Sequence, residues 1–340
     1  MRRYLLPQGI DFYKANLHCH SVISDGHLTA EELKELYKSH GYSVLAYTDH
    51  EYLVDHSKLS DPDFVAITGY ELVLMDPDDI PDPFRSNYHL NMYARDPHNV
   101  TQVFFNPKYF ELGDKSIIPS LSYVGSSEAI RVRTAEGANE VIRTAVEQGF
   151  LVSLNHPQWS RIDVNDYGPM KGLFAMEIYN YGCAVCGYPE YDTAAYDQML
   201  MAGQRIGCLA SDDNHNYYSE GHPCFDSCGG FTMLAMPSLS YENVIEALET
   251  GNYYASAGPL IEELYYENGN VYVRCSPAKS IALNTRMWRT SIKHMEDEPI
   301  TEAVLKVEDT DHYIRIVVTD EKGRQAFSRA YFLDEIEKND

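Results

Sequence analysis

Side chains of the types that bind metal ions recur along this sequence, each at or just beyond the end of a short apolar run. A single histidine in such a place is usually a hydrogen-bonded core residue, but a long series at equivalent positions is hard to explain by packing. This repetition constrains the fold strongly, because it requires strand ends that lie together. The residues that the pattern marks are His18, His20, Asp49, His50, Glu71, His89, His156, Glu177, Asp212, Asp213 and His215.

Short apolar runs alternate with helical patterns, and this alternation predicts an α/β fold. In the first unit, a strand predicted at residues 16–20 precedes the capping box Thr29-x-x-Glu32 and a helix that ends near Gly41. A parallel barrel brings the carboxyl ends of its strands to one mouth, where barrel enzymes build their sites. Further strands are predicted at residues 42–47, 64–67, 88–93, 150–154, 174–178, 206–210 and 231–236, and helices at 135–148, 190–201 and 241–249.

The 340 residues are predicted to divide into a metal-binding barrel at 1–259 and a small antiparallel β module at 260–340. In the module, an Asn-Gly pair between two alternating runs predicts a hairpin. The barrel carries a predicted insertion at about 76–130, which begins with the proline-rich stretch DPDDIPDPFRSN. Its irregular and aromatic portion, residues 100–127, is predicted to be a long loop or lid over the barrel. We refer to residues 100–127 as the lid segment.

The formal net charge of −24 limits the possible partners. It disfavours a nucleic-acid backbone or an anionic membrane surface, although bound cations can still attract a small anionic substrate by reversing the field locally. Two arginines near the start are followed by only three apolar residues before Pro7, fewer than a signal peptide needs. No apolar run approaches the roughly 18 residues of a membrane span. We therefore predict a cytoplasmic protein, and the oligomeric state is left open.

Strand geometry predicts which of the marked side chains share a face. Side chains two apart in a strand point to the same side, so the histidines of His18-Cys19-His20 face together and the cysteine faces away. Of the adjacent Asp212 and Asp213, only the second has this spacing from the histidine that follows. A turn at this point would exchange the roles of the two aspartates.

The seven cysteines are predicted to be mostly reduced thiols, as is usual in the cytoplasm. Cys183 and Cys186, and likewise Cys224 and Cys228, are close enough in sequence to contribute to a zinc site. Their glycine-rich loops lack the composition of a zinc knuckle, so small buried thiols are the preferred interpretation.

The motifs resemble those of the PHP family, named for polymerases and histidinol phosphatases. The resemblance covers roughly residues 10–260, with the motifs in the family's order. It implies a distorted (β/α)7 TIM-like barrel that holds two or three divalent metal ions. The matching motifs are His18-x-His20, Ser24-Asp25-Gly26, Thr48-Asp49-His50, Gly69-x-Glu71, Asn155-His156-Pro157 and Asp213-x-His215.

The resemblance also implies a set of ligands for each ion. Glu71 would be shared between two ions, and Asp49 would orient a ligand histidine rather than bind an ion itself. Asp49, His50 and Asp213 are the residues predicted to serve catalysis. The implied sets are His18, His20, Glu71 and Asp213 for the first ion, Glu71, His89 and His156 for the second, and Asp25, His50 and His215 for the third.

Nitrogen and oxygen ligands without cysteine suit zinc, manganese or iron better than calcium. Ions that share a carboxylate lie about 3.5–4 Å apart, and water between them becomes a hydroxide nucleophile near neutral pH. Three divalent ions outweigh three carboxylates and a hydroxide by about two charges, so such a site attracts a phosphate.

Five further residues are predicted to contact the substrate. Arginine binds phosphate oxygens in pairs through its planar guanidinium group, and Arg131, Arg133 and Arg161 lie close to the motifs in sequence. The alternative for these arginines is a solvated or ion-paired side chain. Glu177 and Asn180 either contact the substrate or support the mouth of the barrel.

The favoured function is a metal-dependent hydrolase, specifically a phosphoesterase that releases phosphate from a small-molecule phosphoester by attack of a metal-bridging hydroxide. The alternative is hydrolysis of a non-phosphate ester, an amide or a carbamate, because the same ions can polarise a carbonyl group. A non-catalytic binding protein is a third class, which the complete set of nine ligands argues against. The predicted partner is a small phosphorylated substrate.

Overall fold

The computed structural model describes residues 2–76, 80 and 85–337 of the chain. Within these residues the helices are α1 (Ala30–Ser39), α2 (Ala135–Glu147), α3 (Val164–Tyr167), α4 (Tyr181–Val185), α5 (Thr193–Met201), α6 (Tyr241–Thr250) and α7 (Leu333–Glu337). The strands are β1 (Arg3–Tyr4), β2 (Asp11–Asn16), β3 (Val44–Tyr47), β4 (Val65–Met75), β5 (Asn87–Ala94), β6 (Thr101–Gln102), β7 (Ser122–Tyr123), β8 (Phe150–Leu154), β9 (Ala175–Asn180), β10 (Gly207–Ser211), β11 (Phe231–Met236), β12 (Tyr253–Ser256), β13 (Ile261–Glu267), β14 (Asn270–Ala278), β15 (Ser280–Thr285), β16 (Ser291–His294), β17 (Ile300–Lys306), β18 (Tyr313–Thr319), β19 (Gln325–Ser328) and β20 (Tyr331–Phe332).

The first strand and helix show how local sequence sets the structure. Helix α1 begins at the predicted capping box, in which Thr29 Oγ1 accepts a hydrogen bond from the Glu32 backbone and Glu32 accepts one from the Thr29 backbone. Strand β2 ends at Asn16, earlier than the predicted 16–20, and both histidines of the first motif follow it. The strand ends early because the backbone at His18 and His20 pairs with the segment after β10.

The α/β class is confirmed, with one large mixed sheet and one small antiparallel sheet. Strands β2, β3, β4, β8, β9 and β10 run in one direction, whereas β5 and β11 run opposite to their neighbours. A strand that ran parallel to β4 beside it would need a crossover connection of about a dozen residues or more. Strand β5 follows β4 after a shorter connection and runs antiparallel to it. The order of the large sheet is β10-β9-β8-β5-β4-β3-β2-β11-β12-β19-β18-β15-β16, with β20 beside β18.

A closed TIM-like barrel is not confirmed, because this strand order does not return to its start. The two ends of the seven-strand run from β10 to β2 nevertheless approach each other just beyond the strands themselves. Cys19 and Asn214 form an isolated parallel bridge, and the Asp213 backbone N–H donates to the carbonyl of His18. These contacts bring the segments after β2 and β10 side by side, so the motifs carried by distant strands meet.

Part of the predicted insertion lies outside the described residues, namely 77–79 and 81–84. Its described part contains β5, which corresponds to the strand predicted at 88–93 and belongs to the large sheet, and also the two-stranded β6-β7 sheet, which was not predicted. Two 3-10 turns, at Pro107–Tyr109 and Lys115–Ser120, occupy the lid segment. The lid segment is therefore an ordered cover built from short elements.

The residues after 260 form antiparallel strands, as predicted. The β13-β14 hairpin turns at Asn268 and Gly269, whose φ angles of 51° and 74° are those an Asn-Gly hairpin turn requires. The small sheet has the order β1-β13-β14-β17, and β19 joins the large sheet by pairing with β12. A domain boundary at 259 stays a prediction. None of the helices in the described parts of the chain has the length and apolar character of a membrane crossing.

Candidate metal centre

The nine predicted ligands meet in one place, which we call the metal cluster. Its centre is Glu71, held in the middle of β4, whose carboxylate accepts a hydrogen bond of 2.6 Å from Asn155 Nδ2. The ring nitrogens of five histidines lie within 3.6 Å of this carboxylate. They are His50 Nδ1 and His89 Nδ1 at 2.9 Å, His18 Nε2 at 3.4 Å, His156 Nε2 at 3.5 Å and His20 Nε2 at 3.6 Å.

Two further carboxylates extend the metal cluster on either side. Asp213 Oδ1 lies 3.0 Å from His20 Nε2 and 3.1 Å from His18 Nε2. Asp25 Oδ2 lies 3.3 Å from His215 Nε2 and 3.8 Å from His50 Nε2. The predicted grouping is therefore possible geometrically, because every carboxylate lies beside at least two imidazoles, although Glu71 shares some of these with Asp213 and Asp25.

The backbone positions these ligands in two different ways. Those after β2, β3, β8 and β10 follow the ends of strands that run in one direction, as predicted for a barrel. His89 instead lies near the start of the reversed strand β5, where it pairs with Val73 of β4. His156 and Asp213 have φ angles of 25° and 54°, a conformation that costs non-glycine residues about 1–3 kcal/mol. Such conformations cluster at functional sites, where the surroundings hold them.

Asp213 faces the metal cluster, and Asp212 faces away from it, as strand geometry predicts. The buried Asp212 carboxylate accepts hydrogen bonds from Tyr37 and from the backbone N–H groups of residues 228–230. Burial raises the pKa of Asp212 to about 7, and those N–H donors and Tyr37 oppose the rise. This aspartate therefore fixes the loop before β11.

Glu177 and Asn180, predicted to contact substrate or to support the site, are both buried beneath the ligands. Glu177 accepts hydrogen bonds from His18 Nδ1 at 2.7 Å, from the His156 backbone and Asn180 at 3.0 Å, and from Ser211. These four donors occupy the lone pairs of the carboxylate, so it orients ligands although it lies near enough to bind an ion. Asn180 also lies 3.2 Å from Asp213 Oδ2.

The proton positions of three histidines follow from their outer partners. His18 Nδ1 faces Glu177, and His215 Nδ1 lies 3.0 Å from the backbone carbonyl of Asp213, so both Nδ1 atoms donate. His156 Nδ1 lies 3.1 Å from Ser160 Oγ. Each of these rings therefore presents Nε2 to the metal cluster, which is how outer hydrogen bonds prepare a metal-binding imidazole.

The inward-facing atoms fit divalent cations. His18 Nε2 lies 3.1 Å from Asp213 Oδ1 and 3.2 Å from His20 Nε2, so several possible ligand atoms are within reach of one ion. His89 Nε2 is buried without a hydrogen-bond partner, and His50 Nδ1 and Glu71 Oε2, which lie 2.9 Å apart, have no partner besides each other. Buried polar atoms are rarely left in this state. Imidazole and carboxylate ligands suit zinc, manganese or iron.

The neighbouring histidines also favour the ionised form of the carboxylates in the metal cluster. Burial alone would raise the pKa of Glu71, but the neighbouring His89, His18 and His50 hold it well below its usual range. Burial likewise opposes the ionisation of Asp25, whose pKa is nevertheless lowered, mainly by its hydrogen bond to His215. The metal cluster therefore keeps its carboxylates in the charged form that binds cations.

Cysteine takes no part in the candidate metal groups of the described residues. Cys19 is buried on the side away from the metal cluster, as predicted. Cys183 is a buried free thiol, and its predicted partner Cys186 is an exposed one. Cys224 and Cys228 are partly exposed free thiols. The prediction of small buried thiols therefore holds for only some of these cysteines.

Asp49 has a different partner from the one predicted. Its carboxylate accepts hydrogen bonds from both the backbone and the hydroxyl of Ser21 and of Ser24, at 2.8–3.2 Å, and no ligand histidine is among its hydrogen-bond partners. Ser24 Oγ also lies 3.0 Å from Asp25 Oδ1. Asp49 therefore positions the turn that carries Asp25, because Ser21 and Ser24 are closer to it than any imidazole.

Replacing Asp49 with alanine should leave the buried serine groups without acceptors. We expect the free energy of unfolding to fall by about 2–3 kcal/mol and the metal content to decrease, because Asp25 loses its support. Urea denaturation and elemental analysis measure the two effects. The matched substitution at the exposed Asp63 should change stability by less than about 0.5 kcal/mol. Unchanged stability and metal content in D49A would contradict this role.

A cavity of about 300 Å³ opens above the metal cluster, and we call it the site cavity. Seven of the nine ligands form its floor, and the lid segment contributes to its wall. Glu51 and Trp159 also line it, although the sequence analysis did not mark them. Each lies within three residues of a motif histidine, which was the available signal. The wall residues are Glu51, Val73, Met75, Asn87, Tyr109, Glu111, Leu112 and Trp159.

None of the three predicted arginines lines the site cavity. Arg131 is buried and makes two hydrogen bonds to the Glu51 carboxylate, at 2.5 and 2.7 Å. Arg133 pairs with Asp76 and Asp166, and both arginines border a neighbouring cavity of about 650 Å³. Arg161 is exposed and lies 5.2 Å from the ring centre of Tyr188. The ion-paired alternative therefore describes Arg131 and Arg133, and phosphate binding by any of the three stays a prediction.

No family model matches this sequence, and no curated protein matches it either. Among solved structures, the chain is similar to a two-domain protein from Bacteroides vulgatus that contains a predicted PHP-like metal-dependent phosphoesterase. The identity is 15%, the alignment covers 94% of each chain, and the TM-score is 0.44. It is also similar to a protein from Bifidobacterium adolescentis described as a metal-dependent phosphoesterase, with 16% identity, 72% of this chain and 96% of that chain covered, and a TM-score of 0.41.

A third similar structure is an amidohydrolase from Chromobacterium violaceum with bound sulfate and no metal. Its identity is 15%, the alignment covers 59% of this chain and 87% of that chain, and the TM-score is 0.37. Two of these structures are thus described as metal-dependent phosphoesterases and the third as an amidohydrolase. Because the similarity is low, the function of this chain rests on its own side chains.

Proposed function

We propose that this chain is a metal-dependent phosphoesterase that hydrolyses a small-molecule phosphoester. The observation that carries the proposal is the convergence of nine nitrogen and oxygen ligands in one cluster, seven of them on the floor of one cavity, where the buried His89 Nε2 has no hydrogen-bond partner. We further propose two or three ions of zinc, manganese or iron. The distorted (β/α)7 barrel belongs to the same proposal, supported by the bridge between Cys19 and Asn214.

Divalent ions at this place would lower the pKa of a coordinated water and polarise the bond to be broken. The residues of the chain hold and orient them. The carboxylate of Glu71 is within reach of two sets of imidazoles, so it is the proposed shared ligand. His50 and Asp213 belong to the metal cluster and also line the site cavity, which supports their proposed position next to a substrate. The lid segment covers this floor and limits the access of bulk water.

The charge of the site depends on the ions. Asp25, Glu71 and Asp213 are the acidic ligands, and the described lining of the site cavity contains no lysine or arginine. Without cations an anionic substrate would be repelled, and with three divalent ions the ligand sites would carry a net charge of about +3. A small anion is therefore the proposed partner, and a nucleic acid or a membrane suits the net charge of −24 poorly. The cytoplasmic location stays a prediction.

The second candidate function is hydrolysis of a non-phosphate ester, an amide or a carbamate. One observation favours it, namely the missing arginine in the site cavity. Phosphate sites commonly use arginine forks, whereas a carbonyl substrate needs only the polarising ions. Both candidates use the same ligands, so substrate chemistry has to separate them.

A hydrolysis screen of the metal-loaded protein separates the two candidates. It should compare phosphomonoesters, phosphodiesters, carboxyl esters, amides and carbamates, with His50→Ala as the inactive blank. His98→Ala is the matched control, because His98 is an exposed histidine that pairs with Asp55 far from the ligands. We expect turnover of at least one phosphoester class, lost in H50A and kept in H98A. Turnover of carbonyl compounds alone would overturn the phosphoesterase and favour the second candidate.

A further inference from the structure

The wall of the site cavity is largely apolar above its polar floor. Val73 and Met75 project from the end of β4, and Tyr109 and Leu112 come from the lid segment. Trp159 completes this group, and its ring contacts the rings of two ligand histidines edge-on, at centroid distances of 5.0 and 5.4 Å. We call these five residues the apolar wall. It stands next to the place where the scissile bond must lie.

Two members of the apolar wall keep a large part of their surface in solvent. Trp159 is 38% exposed and Leu112 is 45% exposed. Apolar side chains that surround a concave site and remain accessible are typical of ligand-binding surfaces. Covering this surface with an apolar part of a substrate would remove it from water, which is the favourable step in binding.

The apolar wall is held in place before any ligand binds. The Arg131 guanidinium lies 4.2 Å from the centre of the Tyr109 ring, and the Arg131 backbone N–H donates to the Tyr109 hydroxyl. Tyr52 donates its hydroxyl hydrogen to the carbonyl of Leu112 at 2.9 Å. A Cβ at Gly113 would overlap the carbonyl oxygen of Ile23, so the chain passes there in close contact. A wall fixed in this way loses little entropy on binding.

The charges around the apolar wall disfavour a second anionic group. Glu111 lies at the same rim and is exposed, and Glu51 is neutralised by Arg131. No basic side chain is present in the described lining of the site cavity, and Lys108, Arg131 and Arg133 line the neighbouring cavity that Glu111 also borders. A negative group carried beyond the scissile bond would therefore lie near a carboxylate, whereas an uncharged ring would lie on the apolar surface.

We propose that the substrate carries an uncharged aromatic group directly on the ester oxygen, with the phosphoryl group on the floor and the ring against Trp159. This inference rests on the proposed phosphoesterase and specifies its substrate class as an aryl phosphoester. The ring packs between Trp159 and the lid residues Tyr109 and Leu112, where aromatic faces and edges attract one another. The site cavity of about 300 Å³ is at the lower limit of small-molecule sites, so it suits one ring rather than a large group.

Binding of unreactive analogues tests this inference without turnover. The sequence holds two tryptophans, and Trp288 is 93% exposed and distant from the site cavity, so Trp288→Phe leaves Trp159 as the sole reporter. Metal-loaded W288F is titrated with phenylphosphonate, methylphosphonate and inorganic phosphate, and both Trp159 fluorescence and calorimetry are recorded. We expect phenylphosphonate to bind at least about tenfold more tightly than methylphosphonate and to change Trp159 emission.

A second variant keeps the metal ligands untouched. Leu112→Ser in the W288F background should weaken phenylphosphonate binding about threefold or more and leave methylphosphonate binding unchanged. The matched control is Val146→Ser, an exposed apolar residue of α2, which should change neither. Equal affinities for the phenyl and methyl compounds would overturn the aromatic substrate while the phosphoesterase stands. If none of the three phosphorus compounds binds, the proposed phosphoesterase fails, and the inference fails with it.

Discussion

Replacing Glu71 with glutamine is expected to lower kcat/KM on the order of 10³-fold or more and to remove at least one equivalent of metal. The reason is its central position, since five histidine nitrogens lie within 3.6 Å of this single carboxylate. Glutamine keeps the shape and the contact with Asn155 but loses the charge that can bridge two ions. Steady-state kinetics and elemental analysis of protein never exposed to chelator measure both effects.

The matched control for E71Q is Glu140→Gln on the exposed surface of α2, which should keep the activity and metal content of the parent. Circular dichroism of both variants establishes that they fold. The expected pattern is a folded E71Q protein that has lost metal and activity together. A folded E71Q with full metal content and undiminished activity would show that Glu71 is not a ligand.

The second large effect is a loss of stability, which is expected when the buried ion pair between Arg131 and Glu51 is broken. Replacing Arg131 with methionine should lower the free energy of unfolding by about 3–5 kcal/mol, because the substitution leaves a buried carboxylate without its partner. The guanidinium also donates to the carbonyls of Val73 and Phe104, so the lid segment loses its attachment to β4. Urea denaturation measures the loss.

Two further variants make this result specific. The double variant Glu51→Gln with Arg131→Met should recover part of the stability, because no unpaired charge then remains buried. Arg205→Met breaks a pair with Asp334 that is nearly half exposed on both sides, and it should cost no more than about 1 kcal/mol. A cost below 1 kcal/mol in R131M would mean that the lid segment is held by other contacts.

The sequence predicted that these side chains would converge because the pattern that marks them is local, and their binding of metal ions stays a prediction. Each ligand type follows an apolar run, and the carboxyl ends of parallel strands lie at one edge of a sheet whatever the details of the loops. The i, i+2 rule also placed Asp213 toward the site and Asp212 away from it, where Asp212 binds backbone N–H groups. These predictions needed only strand periodicity, and the Asn-Gly hairpin needed only turn chemistry.

The features that sequence could not supply depend on long-range pairing. The direction of β5 is seen in its antiparallel pairing with both β4 and β8, and the open order of the large sheet in how its ends approach. The pairing of Arg131 with Glu51 joins residues that are far apart in the chain, so no local pattern indicates it. Asp49 was assigned to a histidine, but two serines of the preceding motif lie closer. Periodicity describes which face a residue occupies and not which neighbour it meets there.

The central claim is that this one cavity binds divalent cations, and anomalous X-ray diffraction tests it most directly. Crystals of protein purified without chelator should be measured above and below the absorption edges of zinc, iron and manganese. We predict two or three anomalous peaks on the cavity floor, each about 2.0–2.2 Å from imidazole nitrogens or carboxylate oxygens of the metal cluster, with one peak beside Glu71. Crystals that show no anomalous peak at Glu71, Asp25 or Asp213 would contradict the account.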